Sequence, residues 1–301
     1  MSQFLATLSS GRSGTFLIHK ILSLYPSVES HHEYCIEHTQ KLSVLHRAGV
    51  VSEDHAALQL RETHGAGVWH SGADIFSDSS NKLSFLIPSL LVIFPQAKFI
   101  HLVRDGRRTV ASYYHKLSNE AMVNMWVERL HVHLRNPNLI STLPLVKAAW
   151  WPIPDRWDNN YNLFLTKWNR WQRLCWFWQD VNRVILRDLG TSPPLPPVVL
   201  RGSTFVESVP DTQKYFVRLE DLTSNVEELS RLLSFLGLRW SDKAWNLCQT
   251  PQNVSEPVSY SLTKEQEAQY WDICGGMHRQ LGYGDTDYEV KYRKEAGDAN
   301  W

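Results

Sequence analysis

The sequence predicts an α/β protein with a P-loop-like three-layer fold, a central parallel sheet flanked by helices. Three observations carry this. The apolar run Phe4-Leu5-Ala6-Thr7-Leu8 enters a small-residue loop, Ser9-Ser10-Gly11-Arg12-Ser13-Gly14-Thr15, followed by helical periodicity from Phe16 to Tyr25. Lys98 to Val103 reads as a buried parallel strand, with Gly106 to Leu117 as the helix after it. Tyr215 to Glu220 is a further strand leading into another helix. Strands and helices alternating at this spacing imply a parallel sheet covered by helices.

The remaining elements rest on local signals. Gly67 to Phe76 contains a short strand, followed by a polar turn, Ser77-Asp78-Ser79-Ser80-Asn81. Leu83 to Phe94 is apolar nearly all round, hence a buried helix, ended by Pro95. The stretch Ser118 to Leu165, with Pro137, Pro144, Pro152, Pro154 and the Trp150-Trp151 pair, reads as a helical excursion plus a loop. Thr166 to Leu189 returns to helix, with Trp171, Leu174, Cys175, Trp178, Val181 and Ile185 on one core-facing stripe. Ser192 to Pro197 is a rigid polyproline-like turn. Ser224 with Glu227 forms a capping box opening a helix that stops at Gly237. Thr263 with Gln266 makes a second box, and that helix runs to Leu281 with Gly282 past its end.

Bulk properties narrow the function. A 301-residue chain that is 43 % apolar supports a sizeable core. No low-complexity linker divides it, so residues 1–284 are expected to form one domain, with a polar tail at 285–301. Thirty-one basic residues balance thirty-one acidic ones, which removes any global electrostatic case for nucleic acid or membrane binding. The opening residues have no basic segment leading into a long apolar one, and no run approaches a membrane span, so the expected location is cytoplasmic. Cys35, Cys175, Cys248 and Cys274 lie far apart without a CxxC pair and read as reduced, buried thiols, neither a metal site nor a disulfide frame. Most of the thirteen tryptophans are expected in core and pocket walls.

The chemistry lies in two motifs. Strand, small-residue loop and helix form the layout of a phosphate cradle, because N–H groups unpaired at a helix start point at an anion. Gly11 and Gly14 permit close backbone approach, and Ser13 and Thr15 add hydroxyls. A nucleoside-triphosphatase loop places Lys after its last Gly; here Gly14 is followed by Thr15, and the basic group, Arg12, comes before it. The second motif puts Arg104 at a strand end and Ser112 inside the next helix, where a planar guanidinium and a hydroxyl can grip one phosphate. The plainer reading is an Arg104–Asp105 salt bridge and an idle serine.

Together the two motifs resemble the sulfotransferase superfamily, which uses 3′-phosphoadenosine 5′-phosphosulfate (PAPS) as donor. Gly11-Arg12-Ser13-Gly14-Thr15 resembles its 5′-phosphosulfate loop. Val103-Arg104-Asp105 through Ser112-Tyr113-Tyr114 resembles its 3′-phosphate motif. Phe216 to Leu222, Phe235-Leu236-Gly237 and Leu281-Gly282-Tyr283 extend the resemblance toward bacterial, carbohydrate and tyrosylprotein-type members. It implies sulfuryl transfer to a hydroxyl or amine, with adenosine 3′,5′-bisphosphate (PAP) as product and no metal. Gly11 to Phe16 would hold the 5′ side of the donor and Arg104 with Ser112 the 3′-phosphate, while Arg12 would stabilise charge on the bridging oxygen. Phe16 departs from the family's second threonine. His19 and Lys20, one turn into the helix, are expected on an exposed face.

Three groups stand as general base. Asp78 occupies the place where many relatives carry Glu-Lys-Thr/Ser-Pro; tyrosylprotein-type relatives place a base glutamate near Glu33, and His32 titrates near neutrality. The resemblance implies that the acceptor, whether small molecule, glycan or peptide, is received by the variable segments Glu33–Val68 and Ser118–Trp168. Two other functions compete: a P-loop-type nucleotide kinase or hydrolase, and a nucleotide-binding protein of this fold without turnover.

Overall fold

Strands buried on both faces need apolar residues at successive positions, and the first strand supplies them: Phe4, Leu5, Ala6 and Leu8 are all buried in β1, Gln3–Leu8. The computed structural model describes residues 2–190, 209–250 and 262–285. Its chain groups into two compact units, Met1–Arg104 with Arg183–Asn253, and Asp105–Asn182 with Val254–Trp301.

The first unit contains a five-stranded sheet. After β1 come α1 (Thr15–Leu22), β2 (Val28–His32) and α2 (Ile36–Arg47). Next is α3 (Glu53–Leu60), which runs through a π turn, Arg61–Gly65, into α4 (Ala66–His70). There follow β3 (Ile75–Ser79), a 3-10 turn (Asn81–Phe85), α5 (Ile87–Ile93) and β4 (Lys98–Val103). The strand order is β2-β3-β1-β4-β5, where β5 is Lys214–Arg218, and every pairing is parallel. From β1 the chain moves to β2 on one side, and from β4 to β5 on the other. β1 and β4 therefore flank the switch point, outside whose carboxyl ends ligands bind in such sheets.

Both faces of the sheet are covered. On one, Leu5, Ile75, Ile100, Leu102 and Val217 pack with Leu17, Ile18 and Ile21 of α1 and with Leu222, Leu229 and Leu233. Those leucines lie on α10 (Leu219–Ser224) and α11 (Val226–Leu236), and α12 (Asp242–Gln249) adds Ala244 and Cys248. On the other face Phe4 stacks on Phe94 at 4.5 Å and on Phe76 at 6.4 Å, with His64 edge-on at 5.9 Å.

The second unit carries α6 (Gly106–Lys116), α7 (Asn124–Arg135), α8 (Tyr161–Thr166), most of α9 (Arg170–Asp188) and α13 (Lys264–Gln280). Its core holds Trp150, Trp151, Trp171, Trp176 and Trp178, so most tryptophans of that region are structural. A Cβ on Gly106 would overlap the Tyr270 hydroxyl and sit 2.8 Å from Trp178 Cε2, which explains glycine at the start of α6. Arg170 closes the other end of α6. Its guanidinium donates to the carbonyls of Tyr113, Tyr114, Leu117 and Ala121 at 2.7–3.0 Å, satisfying acceptors that a helix terminus leaves unpaired.

Several sequence expectations change. Ser77 to Ser79 are not a turn but the buried body of β3, because Ser79 Oγ donates to Thr7 Oγ1 at 3.3 Å and Asp78 finds partners of its own. The single helix Leu83–Phe94 is broken at Leu86. Pro88 cannot donate within a helix interior and instead sits in the first turn of α5. Ser224 Oγ donates back to the Glu220 carbonyl at 2.8 Å, so Asn225 caps α11 in its place, accepting from Glu227 N at 2.9 Å. The Thr263/Gln266 capping box forms as expected. The segment Ser192–Pro197 and the tail beyond Asp285 lie outside the described residues.

Candidate active site

The chain leaves β1 at Leu8 and must turn sharply to enter α1 at Thr15. Gly11 (φ 77°), Arg12 (φ 54°) and Gly14 (φ 98°) all take left-handed conformations in this short loop. Such residues turn neighbouring backbone N–H groups toward one concave side, a nest for anions. Hydroxyls fix the shape. Gly11 N donates to Ser9 Oγ at 2.9 Å, and Ser13 Oγ donates to the Gly11 carbonyl at 3.0 Å. Ser84, from the 3-10 turn after β3, donates to the Ser9 carbonyl at 2.9 Å and accepts from Ser9 N at 3.2 Å.

Leu17 and Ile18 are the first amides of α1 to bond back, both to the Gly14 carbonyl. The Thr15 and Phe16 amides precede that first intrahelical bond and remain for an external acceptor. At Gly14 a Cβ would approach Leu219 Cδ1 to 2.6 Å, so space and φ both demand glycine. The loop contains no carboxylate. Amides, hydroxyls and guanidinium form a donor set that suits a phosphate or sulfate group.

Arg104 stands one residue past β4, which pairs with β1 on the switch-point side. Its Nη1 donates to the Arg12 carbonyl at 3.0 Å, so the two motifs meet directly. The Asp105 carboxylate is engaged by Arg107, with Nη2 at 2.7 Å and the backbone N at 2.8 Å, as the cap of α6. Ser112 is buried on α6 in the second unit.

The three base candidates differ sharply. Asp78 is wholly buried, with both oxygens engaged: Oδ1 accepts from Tyr34 N at 3.1 Å and Oδ2 lies 3.1 Å from His64 Nε2. His32, at the end of β2, reaches the loop, its Nε2 sharing a hydrogen bond with Thr15 Oγ1 at 3.2 Å. Phe16 packs edge-on against that imidazole at 5.3 Å, and Lys20 Nζ lies 5.0 Å from the centre of the Phe16 ring. Glu33 follows His32 in a left-handed conformation (φ 59°), partly exposed, and its carboxylate makes no hydrogen bond among the described residues.

His19 is half-buried and not an exposed face residue. Its Nδ1 lies 3.0 Å from Ser30 Oγ, because β2, unforeseen as a strand, runs beside α1. Burial, then the neighbouring His32 and His31, hold its pKa below the ordinary 6.5, with Asp78 opposing. Sequence reasoning also missed Ser84, His64 and Tyr34. Lys82 is buried in the same 3-10 turn as Ser84.

A parallel sheet with a glycine-bearing loop at its switch point, and an arginine bonded to that loop, is the layout of a P-loop-like α/β fold. Residues 6–137 match the model of the sulfotransferase family, a span that includes the loop, β4, Arg104 and Ser112. Over that segment, somewhat less than half of its length, the chain is similar to the sulfotransferase family. No curated protein matches it.

Among solved structures it is similar to the sulfotransferase domain of the Synechococcus PCC 7002 olefin synthase, at 14% identity and TM-score 0.48, over 92% of this chain and 94% of that one. A sulfotransferase from Alicyclobacillus acidocaldarius aligns at 10% identity and TM-score 0.47, over 94% and 97%. A mouse sulfotransferase complexed with PAP aligns at 12% identity and TM-score 0.39, over 93% and 88%. No helix among the described residues is long and apolar enough to cross a membrane.

Proposed function

We propose that this chain transfers the sulfuryl group of PAPS to a hydroxyl or amine of an acceptor. The observation that carries the reading is the 3.0 Å bond from Arg104 Nη1 to the Arg12 carbonyl, which joins the 5′ loop to the arginine of the 3′-phosphate motif. PAPS supplies an already activated sulfuryl group, so the protein must anchor the donor, offset charge on the leaving oxygen and remove a proton.

Gly11, Arg12, Ser13, Gly14, Thr15 and Phe16 serve the first two tasks, through backbone N–H groups, hydroxyls and the Arg12 guanidinium. Arg104 binds the 3′-phosphate. Ser112, which the family resemblance adds, is tested separately by S112A. Glu33 is the base: it is partly exposed, adjoins the histidine that touches the loop, and has its oxygens available to an acceptor proton. His32 orients Thr15, and Phe16 orients His32. Residues 118–168 are the acceptor side, taking a small molecule, glycan or peptide. Free thiols at all four cysteines fit a reducing, cytoplasmic setting.

Incubating the full chain with PAPS and a library of hydroxyl- and amine-bearing metabolites and glycans, and reading PAP release with sulfated product, tests the proposal. The expected result is acceptor-stimulated PAP release, which R104A lowers about ten- to a hundredfold at PAPS concentrations below saturation. Phosphoryl transfer from ATP would establish a kinase or hydrolase instead, and PAP binding with no turnover of PAPS under any acceptor would establish a binding protein.

A further inference from the structure

We infer that Asp78 and His64 are positioning residues for the turn that presents Glu33, an inference that rests on Glu33 as the base. The turn after β2 is one the chain does not adopt on its own. Glu33 (φ 59°) and Cys35 (φ 50°) are both left-handed without being glycine, a conformation that crowds a side chain against its own backbone. They flank Tyr34, and the structure grips that residue from both ends. Its N–H donates to Asp78 Oδ1 at 3.1 Å, and its carbonyl accepts from Thr39 Oγ1 at 3.3 Å.

Asp78 can hold Tyr34 only if its own carboxylate is held. Its second oxygen lies 3.1 Å from His64 Nε2, and neither side chain has any exposure. His64 Nδ1 in turn lies 3.2 Å from Thr63 Oγ1, and Phe4 and Tyr34 pack edge-on to the ring at 5.9 and 5.2 Å. His64 sits in the π turn Arg61–Gly65. The extra residue of such a turn rotates the downstream helix by about 100° relative to a continuous α-helix, re-aiming side chains at the cost of regular hydrogen bonding. The register completes the chain of contacts. Asp78 pairs in register with Ala6 of β1 on one side and His31 of β2 on the other, so the residue that holds the turn is itself fixed between the loop-bearing strand and the strand that leads into the turn.

The experiment compares D78A, D78N, H64Q, E33Q and H32Q in the full-length protein. Three quantities are read: PAP release from PAPS with water as the acceptor hydroxyl, PAP affinity, and hydrogen exchange of the Tyr34 amide. A carboxamide oxygen still accepts from Tyr34 N–H, whereas it cannot take a proton as a base. D78A is expected to slow PAP release about a hundredfold, the scale of a displaced catalytic group, with PAP affinity unchanged and Tyr34 exchange unprotected. D78N and H64Q are expected to restore the rate to within about tenfold of the parent and to keep Tyr34 protected.

D78N as slow as D78A with Tyr34 still protected would overturn the inference and make Asp78 the base. A parental rate in D78A would overturn it equally. A parental rate in E33Q would overturn the base assignment together with this inference, and a slow H32Q beside it would move the base to His32. Loss of rate in E33Q with loss in D78N would remove this inference alone. Should D78A fail to fold, D78N set against E33Q carries the same comparison.

Discussion

Two turns at the same edge of the sheet are built in different ways. The loop after β1 takes its turns from its own residues, with glycines at two left-handed positions and the hydroxyls of Ser9 and Ser13 bonding within the loop, and Ser84 and Arg104 brace it from outside. The turn after β2 has no glycine and is held from outside, through Asp78 and Thr39. A loop whose conformation rests on its glycines keeps its backbone amides aimed even when a neighbouring side chain changes. A turn clamped by a buried carboxylate depends on residues distant in sequence that never meet the substrate. The donor side belongs to the first kind and the base to the second.

The largest expected effect falls on the clamped turn. E33Q should lower kcat by about 10²–10⁴, the usual worth of a general base, with PAP affinity unchanged, as read by PAP release and calorimetry. A kcat within a fewfold of the parent would break the contrast by removing the base from that turn. On the donor side, R104A removes a charged hydrogen-bond partner and should weaken PAP binding by about 1.5–3 kcal/mol, roughly ten- to a hundredfold. G14A forces a Cβ into Leu219 at φ 98° and should cost about 1–3 kcal/mol of stability, measured by the denaturant midpoint.

Smaller effects sharpen the comparison. F16T adds a hydroxyl but removes the ring packed on His32. If amides dominate donor binding, PAP affinity should change by less than about tenfold. The pH dependence has a definite sign at His19. Its folded pKa lies below the ordinary 6.5, so the unfolded chain takes up the proton first, and stability falls as pH drops below that value. H19Q should flatten the fall in melting temperature between pH 7 and 5. An unchanged slope would remove His19 from the cluster.

Legibility from the sequence divides along the same line. The apolar runs of β1 and β4, the glycine spacing of the loop and the position of Arg104 are local signals, and each maps onto the structure where it was expected. β2 and the second half of β3 were illegible because their interior is hydroxyl-bearing and charged: Ser30, Ser77, Asp78 and Ser79 resemble a turn until cross-strand partners are known, whereas Ile75 and Phe76 fall inside the expected strand. The partners of Asp78 lie at His64 and Tyr34, in a π turn and a left-handed turn, and no local sequence pattern announces either. Phe16, an unexplained departure in the loop, acquires a place only once β2 brings His32 against its ring.

The central claim is that the loop and Arg104 form one site that distinguishes a nucleotide by its 3′-phosphate. Calorimetric titration of the full chain with adenosine 3′,5′-bisphosphate and with ADP tests this most directly. The account predicts that the bisphosphate binds about a hundredfold tighter than ADP, and that R104A brings the two affinities to within a fewfold of each other. Equal affinities in the parent protein, or a preference that survives R104A, would contradict it.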